Sequence, residues 1–257
     1  MQERVKILGV CVDKVRLDRL FSKTQTYLNQ ESSHLIYFVG MKTVFEAESN
    51  EEFTEFLEQC DFVITAERTM EEKIYGDKNT SSKERMLLAG RYLERLLVRM
   101  NKSKLTLYLL GNDQEQLDQL SKNLVQCYGG IKCYGSCIEE ETKEEAVDFI
   151  VNDINSAAPD VMFILMNGKQ TMEFLKENRA RMNVKICLCI GEAEEEVLQE
   201  IGIETEIPAW IKRLRLEKLY RYFFDNHNLS HTVLKKMFQK KMKEQEIGKE
   251  SDNNSKK

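Results

Sequence analysis

Prolines are few in this sequence, long apolar runs are missing, and positive charge is not in excess. Only two prolines occur in 257 residues, which excludes a long proline-rich linker. No apolar run approaches the roughly 20 residues that a membrane-spanning helix needs, and Arg4 and Lys6 interrupt the segment where a signal peptide would be apolar. A net charge of -5 argues against nucleic acid as the main partner, because phosphate binding needs a basic surface. We therefore expect a cytoplasmic protein whose membrane contact, if any, is peripheral.

Metal-binding and nucleotide-binding motifs are missing as well. Seven cysteines are scattered without a C-x-x-C pair and away from the three histidines, so the sequence predicts neither a zinc site nor a disulfide framework. A G-x-x-x-x-G-K-[ST] loop is absent, as is a G-x-G-x-x-G motif after the first apolar run, which argues against nucleoside triphosphate and dinucleotide chemistry. On these grounds we predict no metal site and no cofactor.

The sequence does contain short apolar runs that alternate with longer amphipathic stretches. This alternation predicts an α/β fold with a Rossmann-like, mostly parallel sheet flanked by helices. Runs of continuous apolar character are typical of strands buried on both faces. The predicted strands are 5–12, 35–39, 62–65, 105–110, 131–134, 161–166 and 184–190, and the predicted helices are 17–28, 45–57, 85–100, 116–127, 146–154, 172–182 and 194–201. Asp113 is a candidate helix N-cap, and Thr142 with Glu145 has the spacing of a capping box.

Composition divides the chain into three parts. We assign residues 1–205 to the α/β domain and residues 206–247 to a basic, aromatic helical arm. Residues 248–257 are charged and lack apolar anchors, so we predict a disordered tail. The polar, glycine-containing stretch 70–85 predicts a mobile loop, which suits a lid over a site and a plain surface excursion equally well.

The ends of the predicted strands carry glycines and polar side chains. In an open parallel sheet, ligands bind at the carboxyl ends of the strands, so these residues mark a candidate site. Periodicity alone leaves the class of the bound small molecule open. The segments are Gly40-Met41-Lys42, Ala66-Glu67-Arg68, Gly111-Asn112-Asp113, Asn167-Gly168-Lys169-Gln170 and Gly191-Glu192.

Several segments match the pattern of one protein family. From Val5 to about Phe224, the chain resembles the WecG/TagA/CpsF family of bacterial cell-envelope glycosyltransferases. The segments Ile7-Leu8-Gly9-Val10, Leu107-Tyr108-Leu109-Leu110-Gly111 and Asp160-Val161-Met162-Phe163-Ile164 resemble strands of that family. The most specific match is the shared spacing of Pro208, Trp210, Leu216, Glu217, Leu219, Tyr220 and Arg221.

The resemblance implies a reaction and a set of site residues. Enzymes of the family that this chain resembles move an N-acetylhexosamine or another hexose from a UDP-sugar to an undecaprenyl-diphosphate-linked acceptor. They do so during cell-envelope polymer assembly. That reaction needs a carboxylate as general base and donors that stabilise the departing diphosphate. The catalytic aspartate of the family falls on Ala66, which leaves Glu67 as the substitute base. The implied substrate-binding residues are Lys42, Asn112, Asn167, Lys169, Gln170, Gly191, Arg213 and Arg221.

The chain departs from the family pattern at other strand ends. The family's Asn-Ala-Glu becomes Val39-Gly40-Met41, and Glu192 replaces a glycine beside the donor. Two interpretations follow: a divergent glycosyltransferase, or a catalytically inactive relative that binds a partner glycosyltransferase or the lipid-linked acceptor. A small-molecule sensor is a third.

The C-terminal arm suggests further partners. Its positive and aromatic side chains suit the anionic inner face of the cell membrane, although packing on the core or in a homo-oligomer would also explain the aromatic residues.

Overall fold

A computed structural model describes residues 3–75, 88–138, 144–191 and 234–245. Within these ranges the chain forms a hairpin, a six-stranded parallel sheet and helices on both faces of that sheet. The hairpin consists of β1 (Glu3–Ile7) and β2 (Val10–Lys14). The main sheet contains β3 (His34–Val39), β4 (Phe62–Thr65), β5 (Thr106–Gly111), β6 (Lys132–Cys137), β7 (Val161–Leu165) and β8 (Ile186–Cys189). The predicted Rossmann-like α/β class is therefore confirmed.

Helices connect these strands, and none of those described is long and apolar enough to cross a membrane. In order they are α1 (Leu17–Tyr27), α2 (Met41–Ser49), α3 (Glu51–Glu58), α4 (Arg68–Tyr75), α5 (Leu88–Ser103), α6 (Gln114–Cys127), α7 (Glu144–Ala157), α8 (Gly168–Asn178) and α9 (234–245).

One helix prediction and one loop prediction need correction, while a predicted helix cap is confirmed. The helix predicted over 45–57 is interrupted at Asn50, whose side chain accepts a hydrogen bond from the Phe53 amide and so begins α3. The loop predicted from residue 70 starts too early, because residues 70–75 belong to α4, which buries Met70 and Ile74. Asp113 caps α6 as predicted, since its carboxylate accepts from the amides of Glu115 and Gln116. Thr142 lies outside the described residues.

The order of strands in the sheet is β4-β3-β8-β7-β5-β6, and every neighbouring pair is parallel. Alternate residues of the central strands point to opposite faces. In β3, for example, Tyr37 and Val39 join one buried cluster, whereas Ile36 and Phe38 join the other. The central strands are thus buried on both faces, as their continuous apolar runs predicted.

The first and the fifth predicted strands differ from expectation. Residues 5–12 do not form one strand, because the chain turns back at Leu8 and Gly9, which have positive φ angles of 45° and 97°. Gly9 takes this backbone conformation without steric cost. The strand predicted at 131–134 lies at the edge of the sheet as β6, with Lys132 and Tyr134 exposed. An apolar run alone does not distinguish an edge strand from a central one.

The hairpin is attached to the edge strand β4. The Asp13 carboxylate, which is only 1% exposed, accepts hydrogen bonds from the Val63 amide at 2.7 Å and from Arg4 Nε at 2.9 Å. Arg4 also donates to the carbonyl of Cys60. One buried carboxylate therefore joins β1, β2 and β4.

Helix α9 packs against the core. Phe238 is fully buried and Met242 nearly so, and both belong to the cluster that contains hairpin residues Val10 and Val12. The ring of Phe238 meets that of Phe45 edge-on, with centroids 6.5 Å apart. This part of the C-terminal arm is thus packed on the α/β core.

Candidate functional site

The order of strands reverses between β5 and β7, and we call the carboxyl end of this strand pair the crevice. The chain leaves β5 toward β6 on one side and leaves β7 toward β8 on the other, so the two connections diverge at the carboxyl ends of these neighbours. Open parallel sheets bind ligands at such a point. Here Asn112, after β5, donates from Nδ2 to Oε1 of Gln170, in the first turn of α8, at 2.6 Å. Two predicted substrate-binding residues therefore meet across the crevice.

The start of α8 is built by Asn167 and Gly168. The Asn167 side chain accepts a hydrogen bond from the Gln170 amide at 2.9 Å and caps the helix. A Cβ at residue 168 would lie 2.5 Å from Glu46 Oε2 and 2.6 Å from Phe53 Cζ, so only glycine fits there. The Glu46 carboxylate thus lies at the N-terminus of α8, where the helix dipole favours negative charge.

The two residues that follow β4, Ala66 and Glu67, lie in different surroundings. Ala66 is fully buried in the cluster that contains Phe38 and Tyr92. Glu67 is 8% exposed, and a Cβ at Gly40 would lie 3.0 Å from its Oε1. The carboxylate of Glu67 therefore lies against the backbone where α2 begins.

Thr65 shapes this strand end. Its hydroxyl donates to the carbonyl of Glu67 and accepts from the amide of the same residue, each at 3.2 Å. The amide of Ala66 donates to the Val39 carbonyl at 3.0 Å. These hydrogen bonds hold residues 65–67 in a local turn after β4.

Two predicted residues flank these positions on exposed helix turns. Lys42 is exposed in the first turn of α2. The Lys169 side chain is 67% exposed, and its Nζ lies 3.8 Å from a carboxylate oxygen of Glu173. Both cations are therefore accessible from solvent.

Gly191 follows β8 in a left-handed conformation with φ at 49°. A Cβ there would lie 2.8 Å from the carbonyl oxygen of Met166, so the chain segments after β7 and β8 approach each other closely. Since β8 lies between β3 and β7, this position belongs to the same edge as Glu67 and Gln170.

Parallel strands thus place Lys42, Glu67, Asn112, Asn167, Lys169, Gln170 and Gly191 along one edge of the sheet. The remaining predicted residues, Arg213 and Arg221, lie outside the described residues, as do Glu192, Trp210 and the rest of the C-terminal match.

Two contributors to this edge were missed by the sequence analysis. Thr65 shapes the turn after β4, and Glu46 lies at the start of α8. Thr65 could have been identified as a turn former, because a short side chain with a hydroxyl two positions before Glu67 is a turn signal. No sequence pattern could have connected Glu46 with Gly168, because the two residues meet only when α2 packs beside α8.

A parallel sheet with helices on both faces defines a Rossmann-like α/β protein, a class that binds its ligands at the carboxyl edge of the sheet. The family model of the glycosyl transferase WecG/TagA/CpsF family matches residues 5–238. That match covers most of the chain, so the chain belongs to this family, as the resemblance indicated. A search of curated proteins gave no significant match.

Proposed function

We propose that this chain transfers an N-acetylhexosamine or another hexose from a UDP-sugar to an undecaprenyl-diphosphate-linked acceptor during the assembly of a cell-envelope polysaccharide or a teichoic-acid-like polymer. Family membership supports the reaction class. The observation that carries the proposal is the Asn112–Gln170 hydrogen bond across the crevice between β5 and β7. This hydrogen bond supports the proposal because both side chains follow strands at the carboxyl edge, and open α/β sheets bind their ligands at that edge.

Each reacting group has a candidate in this proposal. The acceptor hydroxyl attacks the anomeric carbon of the donor sugar and loses its proton to Glu67. The bond between that carbon and the diphosphate oxygen breaks, and UDP leaves with the electron pair. Lys169 and Gln170 contact the donor, while Arg213 and Arg221 stabilise the negative charge that develops on the diphosphate.

A catalytically inactive relative is the second candidate, and specific observations favour it. The position that matches the family's aspartate is Ala66, a fully buried core residue. The carboxylates of Glu46 and Glu67 lie at the starts of α8 and α2. Helix N-termini often bind phosphate, so carboxylates at these positions would oppose a donor diphosphate. Such a protein would bind a partner glycosyltransferase or the lipid-linked acceptor.

Titration calorimetry with UDP and with UDP-N-acetylhexosamines separates the two candidates. Saturable binding supports the transferase, whereas absence of binding supports the inactive relative. If these donors bind, Glu67→Gln is expected to lower the rate of transfer of a radiolabelled sugar to the lipid-linked acceptor by more than 100-fold, because general-base catalysis contributes roughly 10²–10⁴-fold. Binding of the donor should be unchanged. Glu55→Gln, at an exposed position of α3, serves as the control. Retained turnover in Glu67→Gln would eliminate Glu67 as the base.

The C-terminal arm has its own test. We propose that Arg213 and Arg221 contribute to binding at the inner membrane surface, since clustered positive charge attracts anionic lipid. The double substitution Arg213→Glu and Arg221→Glu is expected to lower co-sedimentation with phosphatidylglycerol vesicles at least 10-fold. The control exchanges the exposed residues Arg99 and Lys102 of α5 for glutamate. Equal losses in both variants would show that total charge, not the arm, sets the binding.

A further inference from the structure

Gly40 lies between β3 and α2, at a position where the backbone does not require glycine. Its φ of -109° and ψ of -178° are extended values that any residue adopts. Gly40 is also the N-cap of α2, but serine, asparagine and aspartate fill that role at least as well, because their side chains accept a hydrogen bond from the helix. Backbone conformation and helix capping therefore leave the choice of glycine unexplained.

The side chain of Glu67 fills the space beside Gly40. A Cβ at residue 40 would lie 3.0, 3.5 and 3.8 Å from Oε1, Cδ and Cγ of Glu67, and these are its three nearest contacts. The first distance is tighter than nine in ten real Cβ contacts, so the carboxylate would have to move by a few tenths of an ångström. The missing side chain at residue 40 thus leaves room for the carboxylate.

Glu67 has little freedom to move away from Gly40. The residue is only 8% exposed, and the Thr65 hydroxyl holds both its amide and its carbonyl, each at 3.2 Å. The same carbonyl accepts a hydrogen bond from the Glu71 amide at 3.0 Å. With the backbone fixed, only side-chain torsions can move the carboxylate, and they act within a nearly closed space. A methyl group added at residue 40 would therefore displace the carboxylate rather than the chain around it.

The N-terminus of α2 favours the ionised form of this carboxylate. Glu67 Oε1 lies beside the N-cap of this nine-residue helix, where the helix dipole stabilises negative charge. An ionised carboxylate is the form of glutamate that accepts a proton as a general base. The close approach that Gly40 allows is thus compatible with the role proposed for Glu67.

We propose that Gly40 is a positioning residue, which fixes the Glu67 carboxylate in the place where it acts as general base. The inference rests on the proposed transferase function, in which Glu67 accepts the proton of the acceptor hydroxyl. Catalytic groups must be held within about 0.5 Å of their productive geometry, and the shift that a Cβ at residue 40 would impose is of that order. Gly40 itself acts only through Glu67.

Gly40→Ala tests the positioning by steady-state kinetics of sugar transfer with the full-length protein. We expect kcat to fall about 10-fold with KM for the UDP-sugar unchanged, because a misplacement of about 1 Å can cost roughly 10²-fold in rate. Alanine is a somewhat poorer N-cap than glycine, so the midpoint of urea unfolding should fall only slightly. The matched control is Gly129→Ala, where a Cβ would lie 3.8 Å from its nearest contact, the Val125 carbonyl oxygen. This control should leave kcat unchanged.

A double-mutant cycle shows whether Gly40 acts through Glu67. Glu67→Asp shortens the side chain by one methylene and so withdraws the carboxylate from residue 40. In that background, Gly40→Ala is expected to change kcat less than about 2-fold. Equal losses in both backgrounds, or no loss when Glu67 is present, would overturn the positioning role.

Carbon-13 NMR of the glutamate carboxyl groups follows the contact without a substrate. The Glu67 signal is identified by its absence in Glu67→Gln, and we expect it to shift in Gly40→Ala but not in Gly129→Ala. A Glu67 signal that is unchanged in Gly40→Ala would overturn the inference, whether or not the protein is active. A shifted signal in a protein without transfer activity would support the contact and contradict the proposed function instead.

Discussion

Ala66 and Glu67 are adjacent in sequence but belong to different parts of the molecule. Ala66 contributes to the core on one face of the sheet, and Glu67 lies beside the backbone of Gly40. An ungapped match places the family's aspartate on Ala66, whose side chain is fully buried in the core. At this strand end the hydroxyl of Thr65 holds the backbone of Glu67 through two hydrogen bonds.

Ala66→Asp tests this orientation. A carboxylate at a fully buried apolar position lacks hydrogen-bonding partners, so we expect the free energy of unfolding to fall by ~3 kcal/mol or more. Urea denaturation measures this loss. Ala180→Asp, at an exposed position, should change stability by less than about 0.5 kcal/mol. A stable Ala66→Asp variant with increased transfer activity would show instead that residue 66 reaches the site.

At the scale of elements, the hairpin shows how one buried charge fixes a segment. Asp13 accepts a backbone hydrogen bond from Val63 and a charge-assisted one from Arg4. The exposed pair of Lys14 and Glu3, at 3.0 Å, joins the same two strands. Only Asp13 is shielded from water, so its interactions with β4 should contribute more to stability.

Asp13→Asn checks this difference. The substitution removes the charge that pairs with Arg4. It also leaves one acceptor oxygen where the carboxylate offered one to Arg4 and one to Val63. We therefore expect a loss of about 2–4 kcal/mol in the free energy of unfolding. Glu3→Gln, in the exposed pair, should cost less than about 1 kcal/mol. Chemical denaturation of both variants gives the comparison. Equal losses would contradict the role assigned to Asp13.

Sequence patterns located the strands of the main sheet well, because continuous apolar runs such as 35–39 and 161–166 mark strands buried on both faces. They did not reveal the turn at Leu8 and Gly9, since both residues continue an apolar run. The candidate site was predictable in part. Asn112 and Gln170 follow strands, and the rule for open sheets places them together. The approach of Glu46 to Gly168 depends on packing between helices, which no local pattern encodes.

At the scale of the whole molecule, one buried cluster connects distant parts of the chain. Val10 and Val12 of the hairpin, Val44 of α2, and Phe238 of α9 all contribute to it. Helix α9 is therefore a structural part of the core. A deletion that removes it would lower stability as well as any membrane contact, so point substitutions are the cleaner test of the arm.

Phe238→Ala measures what α9 contributes. Removing a fully buried phenylalanine ring leaves a cavity, and we expect a loss of about 3–5 kcal/mol in the free energy of unfolding. Met237→Ala, at the neighbouring 48% exposed position, should be nearly neutral. Thermal and urea unfolding provide the measurement. A neutral Phe238→Ala variant would mean that α9 does not pack on the core in solution.

The shared cluster of hairpin and α9 also has a consequence for biosynthesis. During translation, the hairpin leaves the ribosome long before Phe238 has been made, so an apolar surface stays uncovered for most of the synthesis of the chain. Prematurely terminated products would keep that surface exposed and become substrates for chaperones and proteases.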